Sequence, residues 1–183
     1  MRIGIDISQI VFEGTGVARY VREMVKTLVS SDKKNDYILI GASWGRRRLL
    51  DVFFDRIRVI NPRVKCILLP VPLKIMEFVW NRLHIFPVEW LTGNLDVFWS
   101  SDWTQPPLLK ARGITTVHDL SFLKYPAESD AEIRKVHKRR LTRVKQECTA
   151  VLCDSDSTRK DLVKILKFDR ARLHVVYPGY LQL

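Results

Sequence analysis

Cysteine is scarce in this sequence, and the cysteines present form no motif. Cys66, Cys148 and Cys153 are the three in 183 residues, and none of them stands in a C-x-x-C pair. An odd number of scattered cysteines does not make a disulfide framework or a Cys-based zinc site. The N-terminus opens directly into an apolar strand instead of a signal peptide, so we expect reduced thiols and a cytoplasmic protein.

Long hydrophobic runs are also lacking. The longest candidate, Cys66 to Trp80, is interrupted by Pro70, Pro72, Lys74 and Glu77. It is shorter than the roughly 20 apolar residues that a membrane-spanning helix needs. We therefore expect that the chain does not cross a bilayer.

Acidic residues are too few to balance the basic ones. The chain has 31 Lys and Arg against 20 Asp and Glu, a formal net charge of +11. Such a charge favours anionic partners, among them nucleotides, phosphorylated sugars, acidic lipids and nucleic acids. A basic nucleic-acid or anion-binding module without catalysis is one alternative, although no zinc finger, RNP aromatics or helix-turn-helix is recognisable. We therefore expect no nucleic-acid partner.

Two nucleotide-binding fingerprints are absent. No Gly-Lys-Ser/Thr occurs, which excludes a P-loop. Arg19 stands where a dinucleotide fingerprint has its third glycine, and Ser43 stands where an acidic residue would end the second strand. These two departures disfavour an NAD-linked dehydrogenase.

Continuous apolar runs of strand length alternate with helical patterns along the chain. Continuous runs are typical of strands covered on both faces of a parallel sheet. The predicted strands are 3–7, 37–42, 64–69, 96–100, 114–118, 150–153 and 173–177, and the predicted helices begin at 17 and cover 46–54, 73–85, 87–91, 129–148 and 157–166. This order predicts a doubly wound, mainly parallel α/β domain with helices on both faces, over residues 1–177.

The first candidate binding site is the loop Gly14-Thr15-Gly16, directly before a predicted helix. Free N–H groups and the positive end of the helix dipole favour an anion at such a position. Glycine lets the backbone approach a ligand closely. The alternative is an ordinary turn between strand and helix.

The second candidate is His118, where a β-branched strand ends. Ligands of open α/β sheets bind beyond the carboxyl ends of the strands. A neutral imidazole there can donate to a sugar hydroxyl or to a developing negative charge. The adjacent Asp119 can orient the imidazole or cap a helix, and the alternative for His118 is a hydrogen-bonded histidine at the edge of the core.

Asp154-Ser155-Asp156 has the D-x-D form of some metal sites, but it precedes a helix, where Asp and Ser are expected as caps. The other histidines show no ligand spacing, so no metal site is predicted.

The basic helix near 132–148 is interpreted mainly as a solvated face, with contact to acidic lipid headgroups as the alternative. The aromatic stretch Phe78, Trp80, Phe86 and Trp90 adds to that alternative, although most of these residues are expected in the core.

Three segments together resemble the N-terminal half of a glycosyltransferase family 4 enzyme of GT-B fold. They are the glycine loop with Arg19-Tyr20, the segment from His118 to Pro126, and the segment from Cys153 to Leu162. Residues 175–180 resemble the crossover into a second domain.

The resemblance implies a retaining transferase, hexosyl- or mannosyltransferase-like, that moves a sugar from a nucleotide sugar to a sugar or lipid-linked acceptor without a required metal. Gly14, Thr15 and Gly16 would lie against the donor diphosphate, and His118 would contact the transferred sugar. Arg19, Tyr20, Asp102, Trp103 and Asp119 are candidates for the acceptor cleft. Such an enzyme would act in surface glycan or glycolipid synthesis, in the cytoplasm or on the inner face of the cytoplasmic membrane.

The sequence departs from the family in one respect. Members carry a Glu-x7-Glu segment and an Arg/Lys pair in a C-terminal domain, and no two glutamates here are spaced in that way. We therefore expect residues 178–183 to begin an interdomain linker and the donor-binding domain to be absent from this chain.

Overall fold

The chain folds around one seven-stranded parallel sheet, with strand order β3-β2-β1-β4-β5-β6-β7. The computed structural model describes residues 1–179; residues 180–183, the end of the predicted linker, lie outside them. The strands are β1 (Arg2–Asp6), β2 (Asp36–Ala42), β3 (Lys65–Leu69), β4 (Val97–Ser100), β5 (Arg112–Val117), β6 (Cys148–Cys153) and β7 (Leu173–Val175). Every neighbouring pair is parallel, which confirms the predicted doubly wound, Rossmann-like α/β class.

Helices cover both faces of the sheet. The α-helices are α1 (Gly16–Ser31), α2 (Arg47–Ile60), α3 (Leu73–Glu77), α4 (Glu89–Thr92), α5 (Ser121–Lys124), α6 (Ala131–Glu147) and α7 (Asp156–Leu166). Short 3-10 turns occupy Ser8–Val11, Pro126–Glu128 and Arg170–Arg172. Within residues 1–179, no helix is both long and apolar enough to span a bilayer.

Strand β2 illustrates why the apolar runs are continuous. Tyr37 and Leu39 are buried in the cluster that α1 and α2 cover, whereas Ile38 and Ile40 are buried in the cluster on the opposite face. Successive side chains of a strand point to opposite faces, so a strand buried on both needs an apolar residue at every position. A third cluster packs α6 and α7 against β5 and β6.

The predicted helix 73–85 is shorter than expected and changes its winding. The α-helix ends at Glu77, and Phe78–Leu83 continue as a π-helix. His84 ends it in the left-handed conformation, with φ of 54°. Helix α2 instead runs past the predicted end at 54 to Ile60, because Ile57 continues the buried face. Strand β7 ends at Val175, two residues before its predicted end.

The strand order changes direction between β1 and β4. Both neighbours of β1 are parallel to it, and the connections from β1 and β4 leave the sheet in opposite directions. The crevice at such a point, beyond the carboxyl ends of the strands, is where open α/β sheets bind ligands. The loop after β1 leads to Gly14-Thr15-Gly16, and the loop after β4 carries Asp102 and Trp103.

Candidate functional site

A histidine and an aspartate meet at the carboxyl edge of the sheet. The last residues of the parallel strands β5 and β6, Val117 and Cys153, are register partners. His118 and Asp154 follow them directly, and His118 Nδ1 lies 2.6 Å from Asp154 Oδ2. A carboxylate at Nδ1 holds the proton on that nitrogen and leaves Nε2 for another partner.

The His118 ring is packed as well as hydrogen-bonded. Tyr20 of α1 lies edge-on against it, with ring centroids 4.9 Å apart and an interplanar angle of 84°. The Tyr20 hydroxyl is 3.3 Å from Thr116 Oγ1, and Thr158 Oγ1 donates to the backbone carbonyl of His118 at 2.9 Å. The His118 side chain remains 18% exposed, so a small ligand can reach it.

Nearby charges decide the protonation of His118. Burial opposes the charged imidazolium, but the hydrogen bond with Asp154 and the negative charge of Asp102 outweigh burial and raise the pKa of His118 above 6.5. The positive charge of Arg140 acts in the opposite direction. The imidazolium carries a proton on both nitrogens, so its Nε2 can donate to an oxygen on which negative charge develops. The neutral ring with its proton on Nδ1 accepts a hydrogen bond at Nε2 instead.

Arg140 of α6 is buried close to His118, and its side chain is 1% exposed. Its guanidinium donates to the backbone carbonyls of Ser101 and Thr116 at 3.0 and 3.1 Å. It also donates to Thr115 Oγ1 and lies 3.4 Å from Asp102 Oδ1. Arg140 therefore ties α6 to the ends of β4 and β5.

The prediction of a solvated basic face on α6 is wrong at Arg140. Val136, Arg140 and Val144 recur every four residues, and all three are buried. Lys135 and Lys138 are exposed, as predicted. The four-residue spacing was a signal for Arg140, but the oxygens that neutralise it come from other strands and are not apparent from the helix alone.

The loop Gly14-Thr15-Gly16 forms the start of α1. Gly14 has φ of +82°, a conformation that favours glycine. Thr15 is the N-cap, and its Oγ1 accepts from the amide of Ala18 at 3.2 Å. A Cβ added at Gly14 or Gly16 would meet no atom within 4 Å, so the surrounding space is open. Most first-turn N–H groups lack intrahelical acceptors, so this start of a 16-residue helix can receive an anion.

A groove of about 710 Å³ runs beside the glycine loop. Gly16, Arg19 and Tyr20 line one side, and residues 176–179 line the other. Tyr20 also contacts His118, so it connects the groove to the histidine, which is not itself a lining residue. The structure thus brings the glycine loop and the histidine to the same side of the domain.

Asp119 neither orients the imidazole nor serves as the N-cap of α5, which is Leu120. Asp119 Oδ1 accepts a hydrogen bond from the amide of Ser121 at 2.7 Å, at the start of α5. The carboxylate that orients the imidazole is that of Asp154, for which the sequence predicts no such role. The sequence shows Asp154 directly after a predicted strand, but the sheet order is needed to place that strand beside the one before His118.

Ser155 and Asp156 of the D-x-D segment have different structural roles. Ser155 is the N-cap of α7 and accepts from the amide of Thr158 at 3.1 Å, which confirms the capping prediction. Asp156 pairs with Lys160 at 2.8 Å and with Arg159. In residues 1–179 no group of three His, Cys, Asp or Glu side chains is arranged to hold a metal ion.

Asp102 and Trp103 also lie at this edge of the sheet. Besides its contact with Arg140, Asp102 acts electrostatically on His118. The Trp103 ring stands edge-on to His137, with centroids 5.5 Å apart, and Phe122 stacks on the other side of His137 at 4.8 Å. Burial lowers the pKa of His137 below 6.5, so this imidazole is neutral at pH 7.

Between residues 78 and 109, several aromatic and aliphatic side chains are exposed. The expectation that the aromatics of this stretch belong to the core is confirmed for Trp80, which is 2% exposed, and wrong for Phe78, Phe86 and Trp90. We call the exposed set the aromatic patch: Phe78, Leu83, Ile85, Phe86, Trp90 and Leu109. Trp90 alone is 65% exposed, and its ring contacts Phe86 at a centroid distance of 5.3 Å.

The chain is similar to known proteins in its sequence and in its fold. A sequence model described as Glycosyltransferase Family 4 matches residues 14–180. No curated protein matches the chain. Among solved structures, the chain is similar to a glycosyltransferase from Rickettsia africae ESF-5, at 17% sequence identity and a TM-score of 0.50. That similarity shows a shared fold; it covers 97% of this chain and 43% of the other, so this chain spans less than half the length of that neighbour.

Proposed function

This chain belongs to glycosyltransferase family 4, and from that premise we propose that it is the acceptor-side domain of a retaining enzyme. The donor is a nucleotide sugar, and the product is a hexosylated or mannosylated surface glycan or glycolipid. A second domain, outside this chain, supplies most of the contacts to the nucleotide.

The observation that supports this proposal best is the placement of His118. It lies at the carboxyl edge of a parallel sheet, its Nδ1 is bound by Asp154, and Tyr20 joins it to a groove beside the start of α1. In the proposed reaction, His118 contacts the transferred sugar near the carbon at which the bond to the diphosphate breaks. With Nδ1 bound to Asp154, Nε2 can accept a hydrogen bond from a sugar hydroxyl, or donate one when the ring is protonated. Either contact accelerates this step if it strengthens as charge develops.

The glycine loop has a complementary role in the proposal. Gly14, Thr15 and Gly16 present first-turn amides of α1 to the donor diphosphate, whose negative charge increases when the sugar leaves. Arg19, at the exposed edge of the same groove, adds positive charge there. The proposal involves no metal ion: the positive end of α1 and the Arg19 side chain are the groups of this chain proposed to face the leaving diphosphate.

The test uses what the proposal requires, this chain working together with a donor-binding domain, which we call the longer enzyme. Sugar transfer from a panel of UDP- and GDP-sugars is measured for the wild type, for His118→Ala and for His174→Ala, an exposed histidine on β7. We expect His118→Ala to lower kcat by about 100-fold or more with little change in stability. His174→Ala should match the wild type. A folded His118→Ala enzyme with normal turnover would refute the assignment.

The aromatic patch supports a lipid-linked acceptor and a location on the inner face of the cytoplasmic membrane. Apolar side chains are exposed there, whereas three nearby acids are occupied. Glu77 pairs with Arg139 at 2.9 Å, and Glu147 pairs with His84 at 2.8 Å. Glu89 accepts three backbone N–H groups, each at 3.0 Å.

The exposed basic side chains of the same region form no ion pair with an acid of residues 1–179. The exposed ones in this region are Lys74, Arg82, Lys110 and Arg112. Apolar side chains surrounded by cations match an anionic lipid surface, where each Lys or Arg adds roughly 1 kcal/mol of attraction.

Vesicle sedimentation tests the membrane contact. We expect binding to phosphatidylglycerol-containing vesicles and not to phosphatidylcholine vesicles, and weaker binding for Trp90→Ala. The matched control is Trp44→Ala, because Trp44 is 74% exposed and is not part of the patch. Equal partition into both vesicle types, or equal loss in both variants, would contradict the proposal.

A further inference from the structure

Asp154 does not perform the structural task that its position in the sequence predicts. In the segment before α7, the N-cap is Ser155, and the pairing with basic side chains belongs to Asp156. The Asp154 carboxylate takes part in neither interaction. Its hydrogen bond goes to a residue 36 positions earlier, His118 Nδ1, at 2.6 Å.

The second oxygen of the Asp154 carboxylate, Oδ1, makes no hydrogen bond within residues 1–179. This oxygen is also buried. A buried polar atom without a partner lowers stability, so native proteins satisfy most such atoms. The position of this carboxylate is better explained by its effect on the imidazole than by a contribution to folding.

The other contacts of His118 hold the residue in place, but they do not determine which ring nitrogen carries the proton. Thr158 holds the backbone carbonyl of His118, and Tyr20 packs edge-on against the ring. Neither contact distinguishes the two ring nitrogens. The hydrogen bond at Nδ1 does, because the partner of one nitrogen determines which nitrogen carries the proton of the neutral ring.

We propose that Asp154 is a positioning residue that holds His118 in its Nδ1–H form, with Nε2 directed to the ligand. The consequence for sugar transfer rests on the proposed function of His118, whereas the effect on the tautomer does not. Asp154 itself does not touch the substrate in this proposal.

The titration of His118 reports on this pair because its other charged neighbours stay in place when Asp154 is replaced. Asp102 raises the pKa of His118 and Arg140 lowers it, against the background of burial. Besides Asp154, the ionisable groups that face the imidazole from the surrounding elements are Tyr20 of α1, Asp102 after β4, and His137 and Arg140 of α6. Asp119, next to His118 in the chain, acts on His137.

The test is nitrogen-15 NMR of the histidine side chains in the 183-residue chain. Above the titration of His118, we expect the Nδ1–H tautomer in the wild type. In Asp154→Ala, the Nε2–H form should become populated and the pKa of His118 should fall. In Asp154→Asn, the amide oxygen can still accept from Nδ1, so the tautomer should persist while the pKa falls, because the charge is gone.

The matched control is Asp156→Asn, a carboxylate two residues away that pairs with Lys160 instead of His118. It should leave both the tautomer and the pKa of His118 unchanged. A wild-type His118 in the Nε2–H form, or an Asp154→Ala variant with unchanged tautomer and pKa, would overturn the inference. Asparagine has nearly the same shape as aspartate. If Asp154→Ala does not fold, the fall in the pKa of His118 is therefore tested with Asp154→Asn.

Kinetics of the longer enzyme then separate the two proposals. If both hold, Asp154→Ala lowers kcat by about 10-fold or more with little change in the KM for the acceptor, and Asp154→Asn shifts the pH profile of kcat to lower pH. If the tautomer and the pKa of His118 change in Asp154→Ala but kcat does not, the positioning role stands and the function proposed for His118 is refuted. An unchanged NMR signature overturns the positioning role whatever the kinetics show.

Discussion

Replacement of Arg140 by alanine should be among the most damaging single substitutions in α6. The guanidinium is buried and joins the backbone carbonyls of Ser101 and Thr116 to the helix. Alanine keeps the helix but leaves these oxygens, and the nearby Asp102 carboxylate, without their donor. The perturbation therefore removes a link between α6 and the strand ends that carry the candidate site.

The size of the loss follows from two opposing contributions. Hydrogen bonds that involve a charged group are worth about 1.5–3 kcal/mol each. Removal of the guanidinium also recovers its own desolvation cost, so that breaking a buried pair costs about 3–5 kcal/mol in total. The Asp102 side chain keeps 20% exposure, so water can solvate the carboxylate that Arg140 leaves behind. We therefore expect the lower end of this range, about 3 kcal/mol.

Urea unfolding followed by far-UV circular dichroism measures this loss. Lys138→Ala is the control, because Lys138 is exposed on the same helix and should change the free energy of unfolding by no more than about 0.5 kcal/mol. The slope with urea concentration should stay the same in both variants if only stability changes. An Arg140→Ala variant as stable as Lys138→Ala would refute the view that this buried charge holds the site together.

Three further predictions concern stability. Gly113→Ala places a Cβ 2.7 Å from a backbone oxygen at the end of α6, so we expect a loss of about 2 kcal/mol in urea unfolding, and none for Gly45→Ala, whose Cβ enters open space. Thr15→Ala removes the N-cap of α1 and should cost about 1 kcal/mol by the same measurement, against which an unchanged midpoint would count. The stability gap between the wild type and Asp154→Asn should narrow with pH. Burial lowers the pKa of His118, but the hydrogen bond with Asp154 raises it, and the folded-state pKa lies above 6.5. The stabilisation that the Asp154–His118 pair gives the folded protein is therefore complete below about pH 6.5 and is lost as the pH rises through the folded-state pKa of His118. A gap that widens with pH would contradict this sign.

The sequence by itself determined the fold class and the edge of the sheet at which the candidate residues lie. Continuous apolar runs such as Tyr37–Ala42 specify strands buried on both faces, and alternation with helices leaves a parallel sheet as the way to bury them. Because all parallel strands end at one edge, His118 and the glycine loop could be assigned to that edge before any contact was known. The order and spacing of the family motifs added the resemblance that the family match confirms.

Tertiary structure decided which side chains act on one another. The partner of His118 is Asp154 and not its neighbour Asp119, because the pairing of β5 with β6 places residue 154 beside it. Arg140 is buried because the oxygens that neutralise it come from separate strands. Trp90 is exposed despite its apolar character. Local patterns encode the period of burial along one element, whereas hydrogen-bond partners and the neutralisation of charge depend on residues far apart in the chain, which only the assembled sheet brings together.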